Sequence, residues 1–489
     1  MQLSAKSNKP YIIVILILAI VFFAMMVAFG VILLKGLRSN AWGNPPTVEL
    51  EPEATAPPQE PQPTELPDIV EKTEEVITKE STPSATSTPT PSVTLKPATE
   101  EAMNLIEEQI SQIRLLTVED AIPRKVFSSD ELRAYVEEEM LEDLEDEDAQ
   151  EDVRRFALLG LFPPDLEMRQ LLEDLYSEQI AGFYKIEERE MVVVAGEDFA
   201  INERLTYAHE YVHALQYANY DLENDLGYSE EGCKTDSERC AAIQALIEGD
   251  ANFTQLKWFE THATRNDILE LLAGLENYES PVLDSAPPYL SASMMFPYNE
   301  GTVFVEYLFD VGGFDAIHQA YTITPPVSTE QIMFPERYPD DIPLEINLPD
   351  LSTALGDGWE IDQEGVIGAW DSYMMLTQGY EERFQINAEK ALAVAEGWGG
   401  DSYAFLSHEN DDEHLFVMRT IWDSNEDGEE AWQAFSKLLA LRFGRAKNDG
   451  IYNQEETYAR IFKTGNNGFV LIISEGLESL NRVYDYLNE

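Results

Sequence analysis

Two histidines and a glutamate stand at a spacing that can hold a metal ion, in the run His209-Glu210-Tyr211-Val212-His213. On a helix, residues at i and i+4 share a face, so His209 and His213 can grip a single cation. Neutral imidazole nitrogen suits Zn²⁺. Glu210 is rotated about 100° around the axis from His209, which sets its carboxylate beside a water on the ion, as a general base requires. A catalytic zinc takes three protein ligands and keeps a fourth position open. Glu248, in Ala245-Leu246-Ile247-Glu248-Gly249-Asp250-Ala251, is the candidate third ligand. The chain has six histidines in 489 residues, so a pair at ligand spacing is a specific signal.

Two helices must position these groups. Leu205, Ala208, Val212 and Leu215 recur at helical spacing around the first motif and predict a buried helix. Polar groups on such a helix need partners, and a metal supplies one directly. A second helix is predicted from about Arg239 to Glu260, with Ala241, Ala245, Ile247 and Ala251 facing inward so that it can approach the first closely. Glu248 lies among these apolar residues, and a carboxylate there also needs a partner. Asp250 has a different role open to it, as hydrogen-bond acceptor behind a ligand histidine. Between the helices lie the only cysteines, Cys233 and Cys240, close enough in sequence for a disulfide that would pin the loop.

The setting Glu248-Gly249-Asp250-Ala251 downstream of HExxH resembles the gluzincin metallopeptidases. Further segments look like a bacterial family of membrane-linked, HExxH-bearing proteins: Gln112-Ile113-Arg114-Leu115-Leu116, Val126-Phe127-Ser128, Gly182-Phe183-Tyr184, Phe296-Pro297-Tyr298-Asn299-Glu300-Gly301 and Gly397-Trp398-Gly399-Gly400-Asp401. The resemblance covers roughly residues 100–489, and only its zinc motif carries chemistry. It implies a zincin-like fold, peptide-bond hydrolysis and a peptide or protein substrate. It also implies that the strand just before the HExxH helix forms the upper edge of a substrate cleft, to which an extended peptide can add. In that chemistry Glu210 takes a proton from water and returns it to the departing amine. Tyr298 is the candidate donor to the oxyanion; the competing role for it is a core tyrosine. The competing reading of the whole chain is an inactive zincin-fold scaffold, which gives no reason to keep Glu210.

The remaining sequence supplies the setting. After a short tail at 1–10, Tyr11–Leu34 is a charge-free apolar run long enough to cross a bilayer, and it continues past any cleavage-like small residues. Residues 35–100 are dense in Pro, Ser, Thr and Glu and predict a disordered tether. The expected arrangement is a single-pass anchor in the cell membrane, with the rest of the chain outside the cytoplasm. The balance of 92 acidic and 32 basic residues, a formal charge of −60, argues against nucleic acid as a partner. The acidic run Glu137–Asp148 reads as a solvated face, without the residue order of a calcium loop.

The predicted class is α+β, with a mainly helical catalytic domain over 101–385 carrying a small edge sheet, and a small α+β module over 386–489. Glu101–Leu116 reads as an amphipathic helix, and another begins at Ser129. Phe183–Ile186 and Met191–Val194 flank a charged turn as a hairpin. Helices are expected at Tyr289–Asp310 and Phe314–Tyr321. Strand-like stretches at Tyr403–Leu406, Leu415–Ile421, Glu456–Phe462 and Phe469–Ile473 alternate with helices Glu429–Arg442 and Leu477–Leu487. His262, His318, His408 and His414 lack ligand spacing.

Overall fold

A computed structural model describes residues 95–488, apart from 142–143, 145, 187, 195–198, 277–279, 410–412 and 448. The apolar run Tyr11–Leu34 and nearly all of the predicted tether lie outside the described residues. Among the described residues no helix is long and apolar enough to cross a membrane.

The chain is α+β. Helices surround a three-stranded sheet in the order β1 (Arg124–Phe127), β3 (Glu190–Val194), β2 (Gly182–Lys185). β2 and β3 form the antiparallel hairpin expected from their alternation. Alternation also divides β3 between two cores. Met191 and Val193 join Leu205, Ala208, Val212 and Leu215 beneath the HExxH helix, whereas Val192 faces the opposite cluster. One expectation changes here. β3, the strand just before the HExxH helix, is not an edge, because β1 pairs with its other side in parallel register. The open edge nearest the motif belongs to β2 instead. A parallel partner more than sixty residues upstream leaves no trace in local pattern.

The HExxH helix spans Ile201–Asn219 and packs on the N-terminal helix Pro97–Arg114 through Met103, Ile106 and Ile110. The glutamate helix spans Ser237–His262 and is buried all round its middle, its polar groups there included. Its closest backbone approach is not to the HExxH helix. It is to the long helix Pro288–Thr322, where a Cβ on Gly249 would overlap the backbone of Gly301, and a Cβ on Gly301 the carbonyl of Ala245. Only glycine lets two helix backbones meet this closely. The long helix breaks at Gly312–Gly313, where the dihedrals leave the helical region. This matches the two helical stretches read from sequence.

A six-stranded antiparallel sheet closes the C-terminal part, in the order β4 (Trp359–Gly365), β5 (Trp398–His408), β6 (His414–Trp422), β9 (Gly468–Ser474), β8 (Thr457–Lys463), β7 (Ile451–Gln454). The four predicted strands are present. β4 and β7 at the sheet's edges are additions, since their polar, half-exposed sequences lack a strand signature. Buried carboxyls join this sheet to the helices. Glu238, near the start of the glutamate helix, accepts from the Thr329 amide (2.7 Å) and hydroxyl (2.8 Å). That hydroxyl accepts in turn from the Trp370 amide at 2.9 Å. Asp401 on β5 accepts from the amides of Ile367 (2.7 Å) and Gly368 (3.0 Å) and from the Trp398 indole (2.8 Å).

Two predictions follow from this packing. Gly301→Ala drives a methyl into a rigid backbone carbonyl and should lower the unfolding free energy by about 3 kcal/mol or more. Gly274→Ala serves as control: its Cβ would meet only Asn202 Nδ2 at 3.7 Å, and it should be neutral or stabilising by about 0.5–1 kcal/mol. Urea unfolding of both variants measures the contrast. The second concerns pH. Burial pushes the Glu238 carboxyl from its ordinary 4.5 up to about 8, against the hydrogen bonds from Thr329. The folded chain therefore holds a proton there that the unfolded chain releases, and this contribution is complete below pH 4.5 and lost as pH rises through 8. Glu238→Gln keeps an acceptor for Thr329 without a proton to lose, so urea midpoints measured from pH 5 to 8.5 should fall less steeply than in the parent.

Candidate metal centre

The HExxH helix presents His209 and His213 to Glu248 on the glutamate helix, 39 residues beyond His209. All three are buried, at 0, 4 and 0 % exposure. His209 Nε2 lies 3.0 Å from His213 Nε2 and 3.1 Å from Glu248 Oε2, and His213 Nε2 lies 3.4 Å from the same oxygen. Three ligand atoms thus form a nearly equilateral triangle.

Amides behind the ring decide what faces that triangle. His213 Nδ1 is 2.8 Å from Gln216 Oε1. The Gln216 amide is oriented without ambiguity, because its nitrogen donates to Ile247 O (2.9 Å), the Tyr321 hydroxyl (3.0 Å) and Asp250 Oδ2 (3.2 Å). Nδ1 of His213 therefore donates, and in the neutral ring Nε2 carries the lone pair. His209 Nδ1 meets Gln255 Oε1 at 3.3 Å in the same sense. Two imidazole lone pairs and a carboxylate oxygen then point at one another within 3.4 Å, and Glu248 Oε1 is buried without a hydrogen-bond partner. Such an arrangement repels itself unless a proton or a metal cation sits among the three atoms.

The dimensions fit zinc. Ligand bonds of about 2.0–2.2 Å in a tetrahedron give ligand-to-ligand edges of about 3.3–3.6 Å, close to the observed triangle. His209, His213 and Glu248 are the residues that would hold the ion. Burial works against charge on each of them. At Glu248 the attraction of His213 and His209 outweighs burial and holds the carboxyl low, whereas at His213 the Glu248 charge outweighs burial and holds the imidazole high. His209 is lowered, chiefly by burial.

Glu210 also reaches this centre, with a carboxylate oxygen within 4.8 Å of both imidazoles. It is 2 % exposed, and its Oε1 has no hydrogen-bond partner. The backbone N–H of Tyr184 on β2 donates to the carboxylate. Burial pushes this carboxyl up to about 8, against His213 and that N–H, with the Glu248 charge adding to the rise.

A family described only as a domain of unknown function, DUF8575, matches residues 358–483. No curated protein and no solved structure matches the chain. The matched residues comprise the six-stranded sheet and its helices and include none of the metal-centre residues.

The other residues singled out from sequence fall into place around this centre. Tyr298 is fully buried, and its ring centroid lies 6.1 Å from that of His209. Cys233 and Cys240 are bonded, tying the short helix Glu230–Thr235 to the start of the glutamate helix. Asp250 stands one step further out than expected: it touches neither histidine, and Gln216 lies between it and His213. Its main partner is Arg114, whose Nε lies 2.8 and 3.1 Å from the two oxygens with Nη2 at 3.1 Å, both side chains fully enclosed. The Tyr321 hydroxyl donates to it as well. Gln216, Gln255 and Arg114 were not foreseen. Gln216 lies one turn beyond His213 and Gln255 two turns beyond Glu248, so helical spacing could have found both. Nothing in local sequence links Arg114 to Asp250.

Asp250→Asn leaves the Arg114 guanidinium buried with no opposite charge beside it, and should cost about 3–5 kcal/mol in urea unfolding.

Proposed function

We propose that this chain is a zinc-dependent metallopeptidase with a zincin-like catalytic part, of the gluzincin kind. The observation that carries the reading is the convergence of two imidazole lone pairs and one carboxylate oxygen, with a second carboxylate, Glu210, beside them. When bound there, zinc supplies a Lewis acid for a carbonyl oxygen and brings the pKa of water toward neutrality.

The chain's own residues divide the remaining work. Glu210 accepts the proton of the attacking water and delivers it to the departing amine. Gln216 and Gln255 keep each imidazole with Nε2 free to ligate. An extended peptide can add to the open edge of β2, whose Tyr184 amide already turns toward Glu210. Tyr298, against the His209 ring, is the proposed donor to the oxyanion. The apolar run Tyr11–Leu34 and the proline-rich segment after it support an anchor in the cell membrane, with the catalytic part outside the cytoplasm.

Glu210→Gln keeps all three ligands and removes the proton acceptor. The variant should retain one zinc per chain by elemental analysis and lose about 10²–10⁴-fold of its cleavage of a peptide library, whereas His213→Ala should lose metal and cleavage together. Undiminished turnover in Glu210→Gln would sink the assignment of the base. A parent protein that binds zinc and cleaves no peptide would favour the scaffold reading.

A further inference from the structure

A cavity of about 180 Å³ lies where the glutamate helix and the long helix meet the six-stranded sheet. None of His209, Glu210, His213 or Glu248 lines it. Its walls are largely aromatic: Phe156, Tyr289, Phe296, Trp370, Tyr403 and Phe405.

The polar groups in this lining divide unevenly. The four acidic side chains have partners, since Asp152 takes Arg155 at 2.7 Å, Glu238 takes Thr329, Asp362 takes the Ser407 hydroxyl at 2.8 Å, and Asp371 takes the Tyr289 hydroxyl at 3.0 Å. Three groups able to donate have none: Gln244 Nε2, Ser293 Oγ and Trp370 Nε1. Gln244 is only 2 % exposed. A buried donor without an acceptor costs about 1–3 kcal/mol, and native interiors seldom leave three around one space.

We propose that this cavity is a binding site for a small uncharged carboxamide carried on a single ring. The ring matches the aromatic walls, and the carbonyl accepts from the Gln244 and Trp370 donors. The amide nitrogen donates to the oxygens of Glu238 or Asp371. A carboxylate in its place meets Asp152, Asp362 and Asp371, with the protonated Glu238 beside them, against the single guanidinium of Arg155, and an ammonium leaves every orphaned donor unsatisfied. Size sets the upper limit: a dry cavity of about 150 Å³ in another protein holds benzene, so this one admits a ring with one small substituent and no peptide. Gln244 precedes Glu248 by one helical turn, about 6 Å along the axis. The site is nevertheless separate from the metal centre, and the proposal does not depend on hydrolysis.

The test titrates benzamide, toluene, benzoate and benzylammonium onto the purified full-length chain, read by tryptophan fluorescence and ligand-observed NMR. Benzamide should bind about tenfold or more tightly than each of the other three. Gln244→Leu and Trp370→Phe, with melting checked against the parent, should each bring benzamide to within about twofold of toluene. If Gln244→Leu does not fold, Trp370→Phe decides alone. The proposal is overturned by equal affinity for toluene and benzamide, or by preference for either charged probe. Absence of saturable binding by all four, which would mean the space holds solvent only, overturns it too.

Discussion

The contact between Gly301 and the Ala245–Gly249 stretch governs the rest of the molecule. Two helix backbones meet there with no side chain between them, so neither helix can rotate or slide without a steric clash. That fixes the angular position of Glu248, which leaves the same turn of the glutamate helix toward the two histidines. It also fixes Tyr298, one turn before Gly301 on the partner helix, against the His209 ring. The position of one carboxylate oxygen is thus set by hard-sphere contact on an adjoining face of its own helix.

A second constraint is electrostatic. The interior holds Glu210, Glu248, Asp250, Glu238 and Asp401 at 5 % exposure or less. Each is handled differently. Asp250 is neutralised by Arg114, Asp401 is met by three N–H donors, and Glu238 is kept protonated by burial. Glu248 and Glu210 each retain one oxygen with no partner. These two unsatisfied oxygens lie beside the two imidazoles, where a divalent cation would meet both.

Much of this was legible in the sequence, because much of it is local. Spacing alone placed His209, Glu210 and His213 on one turn and predicted both helices and the hairpin. A cluster of alanines with a glutamate among apolar neighbours pointed to Glu248. What escaped was non-local. β1 pairs with β3 in parallel across a long chain separation, which left β3 misread as an edge. Arg114 finds Asp250 only through tertiary packing, and Gly301 reads as an ordinary helix glycine until its neighbour is known. β4 and β7 are half-exposed and polar, so neither carries the alternation that marks a strand.

The Arg114–Asp250 pair has a mechanical consequence. The helix Pro97–Arg114 runs 18 residues, about 27 Å, from the start of the described chain into the protein, and its last residue grips the glutamate helix two positions past Glu248. Tension applied at residue 97 runs down a stiff rod and is shared between the packing of Met103, Ile106 and Ile110 on the HExxH helix and the bidentate clamp at the far end. The amino-terminal end is in this sense a lever whose load falls within half a turn of the proposed ligand.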